Sequence, residues 1–210
     1  MPSADSLKAF VIGTRTDSAG TAVNPDVDQE EFRMILAAVM RPGITVNLLD
    51  GTQNPNAWRV RQNTGGDMNV KVGSGVSKVD GLVLRSSATA GQGTYAGRID
   101  ATTVTVSVPA TDPTNPARYG VFAFVDDVAY GGTAGRARLG LQCLRGTPAG
   151  SPVTPTALAA WSASFLLWEF QLPALAAAVT DAILDQASSI DQRVASSLYA
   201  VNPVEVQVFS

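Results

Sequence analysis

Histidine is absent from the 210 residues, and Cys143 is the only cysteine. The first absence removes the commonest general base and the commonest transition-metal ligand. The second excludes an internal disulfide and a thiolate zinc site. Charge is scarce too. Only 16% of residues are charged, the net charge is −3, and the 15 basic residues, mostly arginine, are scattered without forming a patch. Duplex nucleic acid selects a basic surface, so none is expected as a partner. No apolar run approaches the roughly 18 residues that would suggest a membrane span. Met1-Pro-Ser-Ala-Asp-Ser-Leu-Lys8 lacks the basic stretch and apolar core of a signal peptide. The expectation is a soluble protein made in a cytoplasm, with no cofactor, no metal and no membrane partner. A chain of this length buries roughly 70% of its unfolded surface, so its core needs no covalent or metal staple.

What is present alternates. Residues 1–27 are small and polar around one apolar patch, Phe10-Val11-Ile12, and read as an arm that is mobile or laid against a neighbour. Phe32, Ile35, Leu36, Val39 and Met40 recur at helical spacing. They predict an amphipathic helix over 28–41, opened by Asp28 and Glu31 as a capping pair and closed by Pro42-Gly43. From there the period becomes two. Trp58 and Val60 alternate with Arg59 and Arg61, and Met68, Val70 and Val72 alternate with Asn69 and Lys71, across a turn at 62–67. Val79–Leu84 and Thr103–Val108 read as strands, the latter ended by Pro109. Tyr119–Val125 is apolar on both faces, as in a central strand, with Arg138–Leu144 as its partner. Prolines 148, 152 and 155 make 146–155 extended and stiff. Phe165–Leu172 is a further strand. Residues 174–184 favour helix by their alanines but are ambiguous, and Val204-Glu205-Val206-Gln207-Val208 alternates like an edge strand.

The fold expected is mainly β: an antiparallel sandwich or barrel-like domain with a short N-terminal amphipathic helix and extended terminal arms. The divisions are an arm at 1–27, the helix at 28–41, the β-sandwich domain at 42–172 and a helix/strand extension at 173–210.

The order of these pieces, from "GDMNVKVGSGVSKVDG" through "VTVSVPATDPTNPARYGVFAFVDDVAYGG" and "RGTPAGSPVTP" to "AILDQ", resembles minor tail and baseplate proteins of long-tailed phages of actinobacteria. The most telling segments are Val108–Arg118 and Gly146–Pro152. The resemblance spans about residues 28–185. It departs from the usual pattern at Gly120, where an acidic residue normally stands two places after Arg118, and in an aromatic-rich stretch from Trp161 to Leu172. The chain ends at Ser210, where larger members continue into repeat or receptor-binding regions, which implies a connector or tail-surface component.

No residue stands out as catalytic. Asp126 and Asp127 are adjacent, so on a strand they face opposite ways and cannot flank one glycosidic bond. They read as a charged strand end, with a metal at Asp127 as the lesser alternative. Gly65-Gly66, Gly73-Ser74-Gly75 and Gly131-Gly132 lack the strand-to-helix context of a phosphate loop. Asp181 and Asp185 supply too few ligands for a cation. Cys143 reads as a buried, inert thiol, and Trp168 as core. Trp161, flanked by small residues, suits a subunit interface or, secondarily, a sugar ring. The candidates for contact with neighbours are Phe10, Ile12, Phe32, Leu36, Trp161, Val204, Val206 and Val208. What the resemblance implies is a non-enzymatic structural subunit of the virion tail tip or baseplate. It would assemble with itself, as a homotrimer, and with other tail proteins; a host-surface glycan is the rival partner, and a place on the head or neck the rival position.

Overall fold

The computed structural model describes residues 7–9, 15–16, 22–23, 33, 40–47, 54–73, 80–86, 93–99, 102–127 and 138–193. The fold is mainly β, and every pairing is antiparallel. The central sheet is built on β10 (Ala117–Asp126), flanked by β11 (Arg138–Arg145) and β12 (Ala163–Leu172), with β13 (Ile190–Asp191) beyond β12. A second sheet runs in the order β1 (Leu7–Ala9), β8 (Thr94–Ile99), β7 (Asp80–Arg85), β4 (Gly43–Asn47). A third joins β5 (Val60–Gln62), β6 (Asn69–Val72) and β9 (Val104–Ser107), and β2 (Arg15–Thr16) pairs with β3 (Ala22–Val23) as a small ribbon.

The layers meet where the sequence concentrates apolar side chains. In the central sheet, Tyr119, Val121, Ala123 and Val125 share one face with Leu139, Leu141 and Cys143 of β11. The row joins Leu82, Leu84 and Ile99 of the second sheet and Val70, Val72, Val104 and Val106 of the third in one buried cluster. β12 packs against β7, and β11 against β1 and β9, giving a sandwich-like arrangement. Tyr119 and Phe170 face each other across β10 and β12 with ring centroids 5.5 Å apart.

Several expectations are met. The hairpin β5–β6 turns at 62–67, β9 alternates buried and exposed residues, and β10 pairs with its expected partner β11 on one side and with β12 on the other. Two differ. Trp58 is not a strand residue. It ends the turn begun at Asn54-Pro55, adopts a left-handed backbone (φ 57°), and is fully buried. Residues 174–180 are not helical either, because their backbone bonds elsewhere. Leu175 N–H donates to Asp112 C=O (3.0 Å), Val179 N–H donates to Asp67 C=O (3.0 Å), and the Ala176 carbonyl accepts from the Thr111 hydroxyl (3.2 Å). Only α1 (Asp181–Leu184) forms, capped by the Thr180 side chain on Ile183 N–H. Within the arm, Leu7–Ala9 belongs to its own domain, paired with Gly97–Ile99. Of the helix expected over 28–41, Arg33 is described and is helical, whereas Met40 sits in a β-bridge and Arg41 lies outside any element; Phe10, Ile12, Phe32, Leu36, Val204, Val206 and Val208 lie outside the described residues.

Candidate interaction surface

At the end where β10 begins, three segments converge. The first is the corner 109–116 before β10. Asp112 organises it, its carboxylate accepting from Thr114 N–H (2.9 Å) and Asn115 N–H (2.8 Å). Those two bonds, Asn115 first, hold its pKa below the usual carboxylate value. The second is a strap, residues 146–162, leaving β11. Gly146 N–H donates to Arg118 C=O (2.8 Å) and Ala149 N–H to Pro116 C=O (3.1 Å). The third is 173–180, tied to the corner through Asp112 and Thr111 as above. Arg145 closes the junction from the side, donating to the Ala110 carbonyl at 2.7 Å.

The strap explains why β10 is apolar on both faces. It crosses the face of β10 turned away from the core. Trp161 stacks on Phe124 (4.4 Å between centroids, 9° between planes) and tilts against Phe122. A Cβ on Gly120 would stand 2.8–3.2 Å from Phe122, Leu166 and Pro155. A side chain at that position would have to displace the Phe122, Leu166 and Pro155 side chains under the strap. Glu169, buried on the same face, takes an ion pair from Arg118 and a hydrogen bond from Thr154 of the strap. Trp161 therefore spends one ring face inside its own chain and remains half-exposed.

Above this platform stand aliphatic side chains in water. Val153 is 68% exposed and Leu175 is 74% exposed. Leu175 is also in the left-handed region (φ 57°), a conformation that costs a non-glycine residue roughly 1–2 kcal/mol. Leu158 of the strap and Ile190 of β13 are exposed as well.

The aspartates at the other end of β10 part as expected, but both are buried. Asp126 pairs with Arg138 (3.4 Å), whose side chain is largely in water. Asp127 is the centre of a knot. Its carboxylate accepts from the Tyr95 hydroxyl (3.0 Å) and faces Arg33 at 3.8 Å, while its N–H donates to the Ser162 hydroxyl (3.0 Å). Arg33 also lies over the Tyr95 ring, 5.0 Å from its centroid. This ties β10, β8 and the end of the strap to the residue described from the N-terminal helix. Asp181 exchanges bonds with Gln62, and Asp185 faces Arg59 at 3.6 Å, so each has a protein partner. Burial pushes the Cys143 thiol far up, as an inert core cysteine requires. Trp168 is buried under the Arg193 guanidinium. Among the described residues, no three His, Cys, Asp or Glu side chains come together as metal ligands, and no helix is long and apolar enough to cross a membrane. No protein-family model matches the sequence, and neither does any curated protein or solved structure.

Proposed function

We propose that the chain is a non-enzymatic structural subunit of a phage virion, a minor tail protein of the tail tip or baseplate, assembled in the host cytoplasm and acting by oligomerisation. The observation that carries the reading is the platform at the start of β10. The two segments on which the phage resemblance rests, 108–118 and 146–152, are hydrogen-bonded into one rigid unit. Beside it, Val153 and Leu175 are held out to solvent on stiff backbone. Exposed aliphatic anchors on a preorganised frame suit packing between subunits, because little freedom is lost on contact. The partners are further copies of the chain, as a homotrimer, and neighbouring tail proteins.

The test is a pair of substitutions, Val153→Ser with Leu175→Gly. Neither side chain supports the core, and glycine relieves the left-handed strain at 175. Folding should survive within about 1 kcal/mol while the oligomer seen by light scattering dissociates at least tenfold more readily. An unchanged oligomer would remove the platform from the account. A host-glycan adhesin is the second reading, favoured by the half-exposed Trp161 braced on Phe124. Binding on a glycan array that Trp161→Ala abolishes would select it.

A further inference from the structure

The third sheet turns one face to the core and the other away from it. Val60, Val70, Val72, Val104 and Val106 fill the core face, so alternation places Arg61, Asn69, Lys71, Thr105 and Ser107 on the other. The register sets Arg61 directly opposite Lys71, and Lys71 directly opposite Thr105, in one row across β5, β6 and β9. Asn69 stands opposite Ser107 in the next row. Like charges directly opposite each other destabilise a pair of strands, where opposite charges would stabilise it. No carboxylate on the face offsets them, because the three strands hold no Asp or Glu. Lys71 gives its ammonium to a neutral group, the Thr64 hydroxyl (2.7 Å). Arg59 adds a third cation. Gly73 N–H donates to its carbonyl (3.1 Å), so the ladder reaches it, and two residues of strand set it about 6.4–6.8 Å from Arg61. Carboxylates stand beside β5: Asp181 accepts from Gln62 N–H (2.8 Å), and Asp185 faces Arg59 at 3.6 Å. They leave the site electropositive. Burial first, then the Arg59 and Arg193 guanidinium groups, push the Arg61 pKa below the usual arginine value, against the opposing pull of Asp181.

We propose that this face binds a polyol phosphate, a chain carrying both phosphodiester and hydroxyl groups, with its phosphates on Arg59, Arg61 and Lys71 and its hydroxyls on Asn69, Thr105 and Ser107. The inference goes beyond the assembly reading and does not depend on it, because the platform at the start of β10 uses other residues. A guanidinium takes phosphate oxygens through paired N–H groups, and an ammonium takes them as a point charge. A phosphate between Arg61 and Lys71 replaces their repulsion with two attractions. The exposed Thr105 and Ser107 hydroxyls both donate and accept. The face also discriminates among anions. An acidic protein segment would need an apolar anchor at the centre of its contact, and none of Arg61, Asn69, Lys71, Thr105 and Ser107 is apolar. Duplex nucleic acid selects a broad basic surface, whereas this chain, of net charge −3, offers one short cationic row. A lone phosphate ion would engage the cations and leave the neighbouring hydroxyls unused.

The test is isothermal titration of the full-length chain with a synthetic glycerol phosphate oligomer, beside an oligoglutamate of equal charge, inorganic phosphate and duplex DNA. The oligomer is expected to bind at least tenfold more tightly than any of the other three, and to weaken as salt rises from about 50 to 200 mM. Two variants separate the charges from the hydroxyls. Lys71→Glu converts the opposed pair to opposite charges, so Tm is expected to hold or rise while affinity for the oligomer falls at least tenfold. Thr105→Ala with Ser107→Ala leaves the cations in place; it is expected to weaken the oligomer several-fold and to leave inorganic phosphate unchanged. The absence of binding overturns the proposal, as does an affinity for the oligomer that either variant leaves unchanged. Oligoglutamate binding as tightly would assign the face to an acidic protein partner, and DNA binding as tightly would assign it to nucleic acid; either result overturns the proposal. A lower Tm for Lys71→Glu would remove the like-charge argument and the proposal with it.

Discussion

Gly146→Ala and Gly150→Ala add the same methyl group to the same strap, and the structure gives them opposite signs. A Cβ on Gly146 would stand 2.0 Å from the Val153 carbonyl oxygen and 3.2 Å from its carbon. Both are backbone atoms, which cannot rotate away, so the strap must shift by about 1 Å to restore contact distance. That shift strains the Gly146–Arg118 bond on one side and the Trp161–Phe124 stack further along. Overpacking of this kind typically costs about 1–3 kcal/mol, and for a chain of this size that lowers Tm by about 2–12 °C. At Gly150 a Cβ meets nothing within 4 Å. There the methyl group restricts only the unfolded chain, for a gain of about 0.4–1 kcal/mol. Thermal melting followed by far-UV circular dichroism compares the two, with near-UV circular dichroism following the stacked tryptophan. Equal melting temperatures for the two variants would refute the claim that the strap is clamped on the central sheet.

Three further predictions follow from the same geometry. Asp127→Ala strands the Tyr95 hydroxyl and uncovers Arg33, so it should cost about 3–5 kcal/mol in urea unfolding, whereas Asp126→Ala loses a pair whose Arg138 partner stands largely in water and should cost less; equal losses would mean that Asp127 is no knot. In acid, Asp67 and Asp112 both weaken the fold. Asp67 is held low first by Asn63 and then by Asn69, and Asp112 by Asn115 and Thr114. Their folded values lie below the unfolded ones, so the stability they give is present above the ordinary carboxylate value and is lost as pH falls through the depressed folded values. Asp67→Asn with Asp112→Asn should flatten the acid limb of a Tm-against-pH curve, and an unchanged slope would refute the assignment. Trp161→Ala should cost about 1–3 kcal/mol through the lost Phe124 and Phe122 contacts, and a neutral result would show that Trp161 does not brace the strap.

The sequence made the strands legible where one local pattern dominated. Val104 and Val106 alternate with Thr105 and Ser107, and Tyr119–Val125 has no polar face, so strand and depth followed from the residues alone. It failed where distant partners decide. The alternation of Trp58 with Val60 mimics a strand, but Asn54-Pro55 begins a turn that carries Trp58 into the core in a left-handed conformation. The alanines of 174–178 are strong helix formers, but tertiary bonds override propensity, and the carbonyls of Asp112 and Asp67 take the amides of Leu175 and Val179. Asp127 read only as a charged strand end because Tyr95 and Ser162, 32 and 35 residues away, are invisible to any local pattern. The strap was legible as extended and stiff from its prolines. That it lies over Phe122 and Phe124 depends on contacts the spacing does not encode.

The most direct test of the central claim is to find the chain in its particle. Purified virions carrying this protein should contain it in fixed copy number by mass spectrometry, and an electron-microscopy map should place its β-domain at the tail tip or baseplate as a threefold ring of 21.8 kDa subunits. Purified, infectious particles that lack the chain would contradict the account.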